Sequence, residues 1–548
     1  MQNGWFVVIP PILVVVLAFI TRRIMLALII GIFSAAYIAH DFSCRETFSA
    51  IIFRIIKILE LEKLGSWDTF LGCANIFVCL FLFFLAIIIV LLKKSGAGHA
   101  YGAYITQYLA DQRQVEMATL IMSFFFFIDG YFSSLTVGSV MQPITDQFKI
   151  PRVKLAFLVN ALAAPLAVLF PLTSWMAEIV AQLRNSGITS NVTSGTIVAS
   201  DPFFVYISMI PWMFYSCIIL ASVWFVVLGR LSFGELAYHE KIAQNTGNLF
   251  AGKTPVVGRI TERSETKEEK RSLLDFLFPM GMLFLSIVSM TLYFGDYYLF
   301  GGLYSLLPAL EKSNIFAGLC MGSLICTCVS ILYFVMRKKL TAQQIPEIIQ
   351  EAFKVIAPAL ILLILIWTLS SFLKDDLKTG QYLAQKLLSY IDIQIFPLMF
   401  FLISAFISTM MGSAWGTIGM LVPLGISMVI ASMHITPPVM LHDVPMLVPL
   451  LGAIISGAVV GNTISPIADV MLMSSTSSGA YHMDLVKAQI SFTIPTIIST
   501  SFAFFLTGRL LSTYSMYKTA CIALGAGLLV NICILLTLHI FNRLSKRS

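Results

Sequence analysis

The chain has 548 residues, 58% of them hydrophobic and only 11% charged, where a soluble domain carries about 25% charged residues; a mean hydropathy of +0.89 excludes an ordinary soluble fold. The net charge of +7 does not point to nucleic acid, because Lys and Arg sit in short clusters beside apolar runs, as membrane proteins place them on the cytoplasmic side. The nine cysteines lie mostly inside apolar runs with no metal-type spacing, so they read as small core residues and imply no disulfide framework.

In chain order, the pattern predicts an all-α polytopic membrane protein with about eleven crossings plus two re-entrant or hairpin segments in an inverted repeat. The N-terminus, Met1-Gln-Asn-Gly-Trp-Phe6, lacks the basic region of a signal peptide, so the first apolar run is expected to remain as a span. Residues 1–92 read as N-terminal membrane helices. Their run from Ile76 to Leu92 approaches the ~20 residues needed to cross ~30 Å of hydrocarbon.

Residues 93–228 read as a first transport unit. Its stretch from about 116 to 146 lies between Lys93-Lys94 on one side and Lys149, Arg152 and Lys154 on the other, so it must enter and leave on the same face. The centre, Ile128-Asp-Gly-Tyr-Phe-Ser-Ser134, carries a helix-breaking Gly and polar groups where a hairpin tip belongs. A full crossing follows, interrupted at Ala163-Ala-Pro-Leu-Ala-Val-Leu-Phe-Pro-Leu-Thr-Ser-Trp175.

Residues 229–272 form a loop expected in the cytoplasm. It contains Gly247-Asn-Leu-Phe-Ala-Gly-Lys-Thr254, which matches phosphate-loop spacing. That pattern cradles a nucleotide only between a buried strand and a helix. Here Tyr238-His-Glu-Lys precedes and Pro255 follows, so nucleotide binding, and with it a primary pump, is rejected. Residues 273–373 supply connecting spans.

Residues 374–508 read as the second unit, entering from the opposite face. A second pair, about 395–431, is centred on Met411-Gly-Ser-Ala-Trp-Gly-Thr417 and followed by a crossing interrupted at Gly457-Ala-Val-Val-Gly-Asn-Thr-Ile-Ser-Pro-Ile-Ala-Asp469. Local likeness supports duplication: Thr136-Val-Gly with Pro143 parallels Thr417-Ile-Gly with Pro423, and Pro171-Leu-Thr-Ser174 parallels Pro466-Ile-Ala-Asp469. Residues 509–548 form a C-terminal helix and tail. The basic clusters place the N-terminus outside and the C-terminus in the cytoplasm of an inner membrane.

Paired Gly/Pro breaks at corresponding positions of inverted repeats mark transporter binding sites near the midplane. Broken helices expose carbonyls that can replace the hydration shell of a small cation, and such backbone is tolerated at membrane depth only where it lines a cavity or is packed in protein. Asp129 lies at the first hairpin break and Asp469 at the second interrupted crossing. Intramembrane acids of this kind are functional candidates, here as ligands of a transported Na⁺. Glu178 is a third, placed either within the membrane or near its outer surface, while Asp146 sits at the cytoplasmic boundary. Neutral partners include Thr136, Asn160, Ser174, Thr417, Asn462 and Ser465, which can ligate Na⁺ or bond across helices. The seven histidines are scattered, without a hydrolase or zinc signature. An enzyme has little support, and a channel would need a continuous pore rather than a midplane site.

At these residues the chain resembles the NhaC-type sodium/proton antiporter family. The resemblance runs from Lys93 to about Pro495 and rests on Phe127-Ile-Asp-Gly-Tyr-Phe-Ser-Ser-Leu-Thr-Val-Gly138, Lys154-Leu-Ala-Phe-Leu-Val-Asn-Ala-Leu-Ala-Ala-Pro165 with Pro171-Leu-Thr-Ser-Trp175, Gly412-Ser-Ala-Trp-Gly-Thr-Ile-Gly419 and Gly457 to Asp469. It implies Na⁺/H⁺ exchange across a bacterial inner membrane without a resident cofactor. In some relatives it implies coupled transport of a small organic solute, which keeps an amino acid or small carboxylate as the alternative cargo. Three acids of the family pattern are neutral here, at Gly130, Asn160 and Asn462, whereas Asp469 remains. An amide oxygen can ligate Na⁺ but cannot carry a proton. The expected partners are therefore Na⁺ and H⁺, or a small solute, and the lipid bilayer. A homodimer is compatible with the sequence.

Overall fold

The computed structural model describes residues 4–545 except 22, 41–42, 63–72, 96–108, 128, 172, 191–194, 254–271, 273, 306–308, 310–312, 380–381, 383–385, 387–391 and 434–435. Among the described residues it is all-α apart from one three-stranded sheet, and eleven helices are long and apolar enough to cross a membrane. This is a multi-pass membrane protein.

The N-terminal helices are α1 (Ile9–Thr21), α2 (Ile24–Ala39), α3 (Cys44–Ile58) and α4 (Ala74–Lys94). A bend of 118° separates α2 from α3, and Arg54 of α3 pairs with Asp375 at 3.1 Å and with Asp376. The first hairpin is α5 (Gln112–Phe125) and α6 (Gly130–Gln147), followed by α7 (Arg152–Leu169) and α8 (Ser174–Asn185). Then come α9 (Pro202–Met209), α10 (Phe214–Gly229) and α11 (Gly234–Thr246), with α12 (Leu274–Phe294), α13 (Ile315–Met336) and α14 (Ile345–Ser371) linking the two units. The second hairpin is α15 (Phe396–Met411) and α16 (Ala414–Ser432), followed by α17 (Leu447–Ile464), α18 (Asp469–Ser478), α19 (His482–Leu510) and α20 (Met516–Ser545).

The breaks fall where the sequence places them: Phe126 to Asp129, Phe170 to Thr173, Gly412-Ser413 and Ser465 to Ala468. Gly412 adopts φ +65° at the second tip, a left-handed cap that a residue with a Cβ adopts only with strain. Ser413 then caps α16 by accepting the Gly416 N–H.

Small residues bring the helices of the second unit together. Gly457 and Gly461 of α17 lie so close to α15 that a Cβ would meet the Phe401 carbonyl and Ser408. The hydroxyls of Ser404 and Ser408 donate to the carbonyls of Ile454 and Ala458 at 2.6 and 2.7 Å. In lipid there is no hydrophobic drive between helices, so close approach and such bonds hold the pair.

Strands β1 (Ile188–Thr189), β2 (Val198–Ala199) and β3 (Val439–Met440) form a parallel sheet in that order. It ties the segment after α8 to the segment after α16, so both lie on one face, as the predicted alternation requires. At the opposite ends Arg152 donates to the Ser478 carbonyl at 3.3 Å, Lys253 pairs with Asp484 and Asn542 donates to the Ser232 carbonyl. These contacts collect the described part of the 230–272 loop, residues 230–253, with the end of α18 and the end of α20 on the other face. Position 264, a probe point for the sidedness of this loop, lies outside the described residues.

The two units grip each other through equivalent contacts. Gly138 of α6 lies against Ser477 of α18, whose hydroxyl donates to the Ser134 carbonyl at 2.8 Å. Gly419 of α16 offers its carbonyl to the Gln182 side chain of α8 at 3.3 Å. Gly138 and Gly419 are the positions paired by the sequence parallel, and Ser477 and Gln182 occupy the same place along their helices, counted from Asp469 and Ser174. Each returning hairpin arm thus packs on the second half of the other unit's broken crossing.

Candidate functional site

Asp129 is the residue before α6, and its position leaves its carboxylate beside two donors. Oδ1 accepts the Tyr131 N–H at 2.9 Å and Oδ2 accepts the Ser174 hydroxyl at 2.8 Å. Ser174 opens α8, so the first hairpin tip is fastened to the first break. Asp469 opens α18, where its negative charge suits the helix N-terminus. The Tyr131 hydroxyl donates to Asp469 Oδ2 at 3.2 Å. A chain from Ser174 through Asp129 and Tyr131 to Asp469 therefore joins both breaks. The reciprocal contact is aromatic: Trp175, at the first break, packs on Trp415, at the second hairpin tip, with centroids 4.3 Å apart.

Between them is a cavity of about 110 Å³, lined by Tyr131, Ser413, Trp415, Asn462, Ile467 and Asp469 among others. This is room for several waters, or for an ion with part of its shell. The candidate oxygens there are the Asp469 carboxylate, the Asn462 amide, the Ser413 and Tyr131 hydroxyls and carbonyls freed at the breaks.

The predicted residues separate into groups. Asp129 and Ser174 bond each other, Asn462 and Asp469 share the cavity, and Tyr131 links the two pairs. Ser465 is buried beside them at the end of α17, its hydroxyl accepting the Ile467 N–H at 3.4 Å. Thr417 turns back on its own helix, donating to the Ser413 carbonyl at 3.0 Å. Thr136 is half-buried on α6, two turns beyond Asp129. Asn160 belongs to a second, wholly buried cluster. Its amide donates to the Thr463 carbonyl at 2.9 Å and to Gln489 at 3.0 Å, and the Thr463 hydroxyl lies 2.7 Å from that of Tyr215. Thr463 follows Asn462, so this cluster backs the cavity without lining it.

Glu178 is only 6% exposed, so it lies within protein and not in outer solvent. It lines a small void with Gln182, Trp415 and Gly419, one turn beyond Ser174 on the same face of α8. Gln182 continues that stripe to Ser370 at 3.0 Å. Asp146 pairs with Arg152 at 2.7 Å.

Most intramembrane and near-membrane acids have basic partners: Asp275 has Lys339 and Arg337, Glu116 has Lys154, and Asp484 has Lys253. Among the described residues, no Lys or Arg pairs with Asp469 or Glu178. Sequence reasoning missed Tyr131, the Trp175–Trp415 pair and His482. Tyr131 stands two residues from Asp129 in the quoted motif, and its hydroxyl was not among the candidate ligands. His482 bonds the Pro466 carbonyl at 2.7 Å through Nε2 and Ser475 at 3.1 Å through Nδ1, stapling the second break to the α18–α19 turn. A carbonyl acceptor requires the Nε2–H tautomer in the neutral ring, and no spacing rule for histidine pairs would find it.

Residues 166–509 match the model of the Na⁺/H⁺ antiporter family. An uncharacterized protein of Haemophilus influenzae is 26% identical over 523 residues, covering 94% of this chain and 93% of that protein. The crystal structure of the Alcanivorax borkumensis YdaH transporter aligns with a TM-score of 0.49 at 13% identity, over 85% of this chain and 88% of that one. Neisseria gonorrhoeae MtrF, whose structure is described as illuminating a class of antimetabolite efflux pumps, aligns with a TM-score of 0.40 at 13% identity, over 87% and 84%.

Proposed function

Since the chain belongs to the Na⁺/H⁺ antiporter family and is a secondary transporter, we propose that it exchanges Na⁺ for H⁺ across a bacterial inner membrane, with Asp469 and Asp129 as the carboxylates at which the two ions compete. The observation that carries this reading is the Asp129–Tyr131–Asp469 chain joining breaks from the two units. A single carboxylate that holds either Na⁺ or H⁺, but not both at once, couples their movements. Asn462 and the break carbonyls supply neutral oxygen ligands without adding charge, as a small hard cation needs.

The open side of the site supports alternating access. Asp469, Leu472 and Thr476 of α18 and Ser139 of α6 are exposed, along a line leading to the face that carries the described start of the 230–272 loop. A carboxylate facing lipid would cost at least ~2.5 kcal/mol, so water covers this side. With that loop in the cytoplasm, the site opens inward, and the Trp175–Trp415 contact lies on the opposite, closed side. Rocking of one unit against the other would open the second face. The units are those bounded by residues 93–228 and 374–508.

The test is transport in reconstituted vesicles with an interior-acid pH dye, adding Na⁺, K⁺ or Li⁺ in turn. Dequenching by Na⁺ that Asp469→Asn abolishes, with the variant still folded and inserted, supports the proposal. Silence of the wild type to all three cations overturns it in favour of ion-coupled transport of an amino acid or small carboxylate.

A further inference from the structure

We propose that Glu235, His239 and Asp484 form a binding site for a divalent transition-metal ion on the face carrying α11, and that the Lys253 ammonium holds Asp484 when the site is empty. This site is separate from the transport cavity and does not depend on which ions are exchanged.

Glu235 and His239 stand one turn apart on α11, so both point to the same side. Asp484, in the first turn of α19, completes the group, and one ligand atom from each lies within 4.8 Å of the others. His239 Nε2 is 3.5 Å from Glu235 Oε1 and 3.7 Å from Asp484 Oδ2. Those separations are long for hydrogen bonds, but donors bound at ~2.0–2.2 Å to a tetrahedral ion stand about 3.3–3.5 Å apart.

The histidine is the second, independent sign. Its side chain is 2% exposed; among the described residues Nδ1 has no hydrogen-bond partner, and Nε2 has only the long contacts with Glu235 and Asp484. An ordinary core histidine satisfies at least one nitrogen, because a buried polar group without a partner costs about 1–3 kcal/mol. A Lys–Asp ion pair explains Asp484, whose two carboxylate oxygens both accept from Lys253 Nζ at 2.7 Å. It leaves the imidazole unexplained, and it sets one ammonium against two carboxylates.

Lys253 can yield its place. Its side chain is 48% exposed, against 4% for Asp484. The segment that carries it is held mainly by Asn248 Oδ1, which accepts the N–H groups of Phe250 and Gly252, and by the Leu249 carbonyl, which accepts the Arg152 N–H. One imidazole nitrogen with two carboxylates favours Zn²⁺, Co²⁺ or Ni²⁺ over Mg²⁺ and Ca²⁺, and three protein ligands leave a fourth position for water. Binding would clamp α11 to the start of α19 and release Lys253 to solvent.

The experiment is Co²⁺ titration of the full-length protein in detergent after chelator treatment, read by visible d–d absorption, for wild type, Lys253→Ala, Glu235→Gln and His239→Ala. Stoichiometric binding with tetrahedral-type bands is expected in the wild type. Removing the competing ammonium in Lys253→Ala should tighten binding about tenfold. Glu235→Gln should weaken it and His239→Ala should remove the bands. Absence of bands in the wild type, their survival in His239→Ala, or affinity unchanged or lower in Lys253→Ala would each overturn the site. Glu235→Gln alters a partly exposed side chain, so it remains informative if His239→Ala does not fold, and unchanged Co²⁺ affinity there counts against the proposal equally.

Discussion

Asp469 and Asp129 differ in how the protein holds them, and that difference predicts different phenotypes. Asp129 is an N-terminal cap of α6 as well as a ligand candidate, with two donors on its carboxylate. Asp129→Asn keeps an oxygen to accept the Tyr131 N–H but loses charge, so Na⁺ affinity should fall or transport should stop without unfolding. Tyr131→Phe removes the hydroxyl that joins the two acids. A hydrogen bond to a charged group is worth about 1.5–3 kcal/mol, so half-saturation for Na⁺ should rise about tenfold or more; an unchanged Na⁺ dependence would mean that the link plays no part. Glu178 has no Lys or Arg partner among the described residues and lies one turn from Ser174. Exchange at the wild-type rate in Asp469→Asn would make Glu178 the leading proton carrier, and Glu178→Gln would then be the variant that stops dye dequenching.

Among the elements, the contact of α15 with α17 depends on backbone proximity and so tolerates no added volume. Gly461→Val would drive a side chain into Ser408, and overpacking of a tight contact costs about 1–3 kcal/mol. Its melting temperature in detergent should fall. Gly525 of α20 has open space where a Cβ would be, so Gly525→Ala should leave the melting temperature level or raise it, through the roughly 1 kcal/mol better helix propensity of Ala. Equal effects of the two substitutions would contradict the packing described for α15 and α17. The four breaks were legible in the sequence because Gly, Pro and short polar side chains interrupt apolar runs, and lipid allows few other uses for them. The bend between α2 and α3 was not legible, since no proline or glycine marks it.

For the whole molecule, the reciprocal packing of α6 on α18 and α16 on α8 is the surface across which the units would move. Gly138→Val would drive a side chain into Ser477 across one of these contacts, where overpacking costs about 1–3 kcal/mol. Its transport rate should fall below that of the wild type; full-rate transport by the folded variant would show that close packing of α6 on α18 plays no part in the cycle. Sidedness is testable at Gln244, exposed near the end of α11. With the exposed native cysteines Cys44, Cys328, Cys521 and Cys533 replaced, Gln244→Cys should react with an impermeant thiol reagent only after the membrane is opened. Labelling in intact cells would reverse the orientation. The sequence by itself determined the membrane class and the places where the helices break, because hydropathy and helix-breaking residues act locally along the chain. Which polar groups meet was decided only by the tertiary structure. Tyr131 and Asp469 are far apart in sequence and become neighbours because each hairpin packs on the other unit's broken crossing, and Asn160, equally polar in sequence, is turned behind the cavity by the rotation of α7 against α17 and α19.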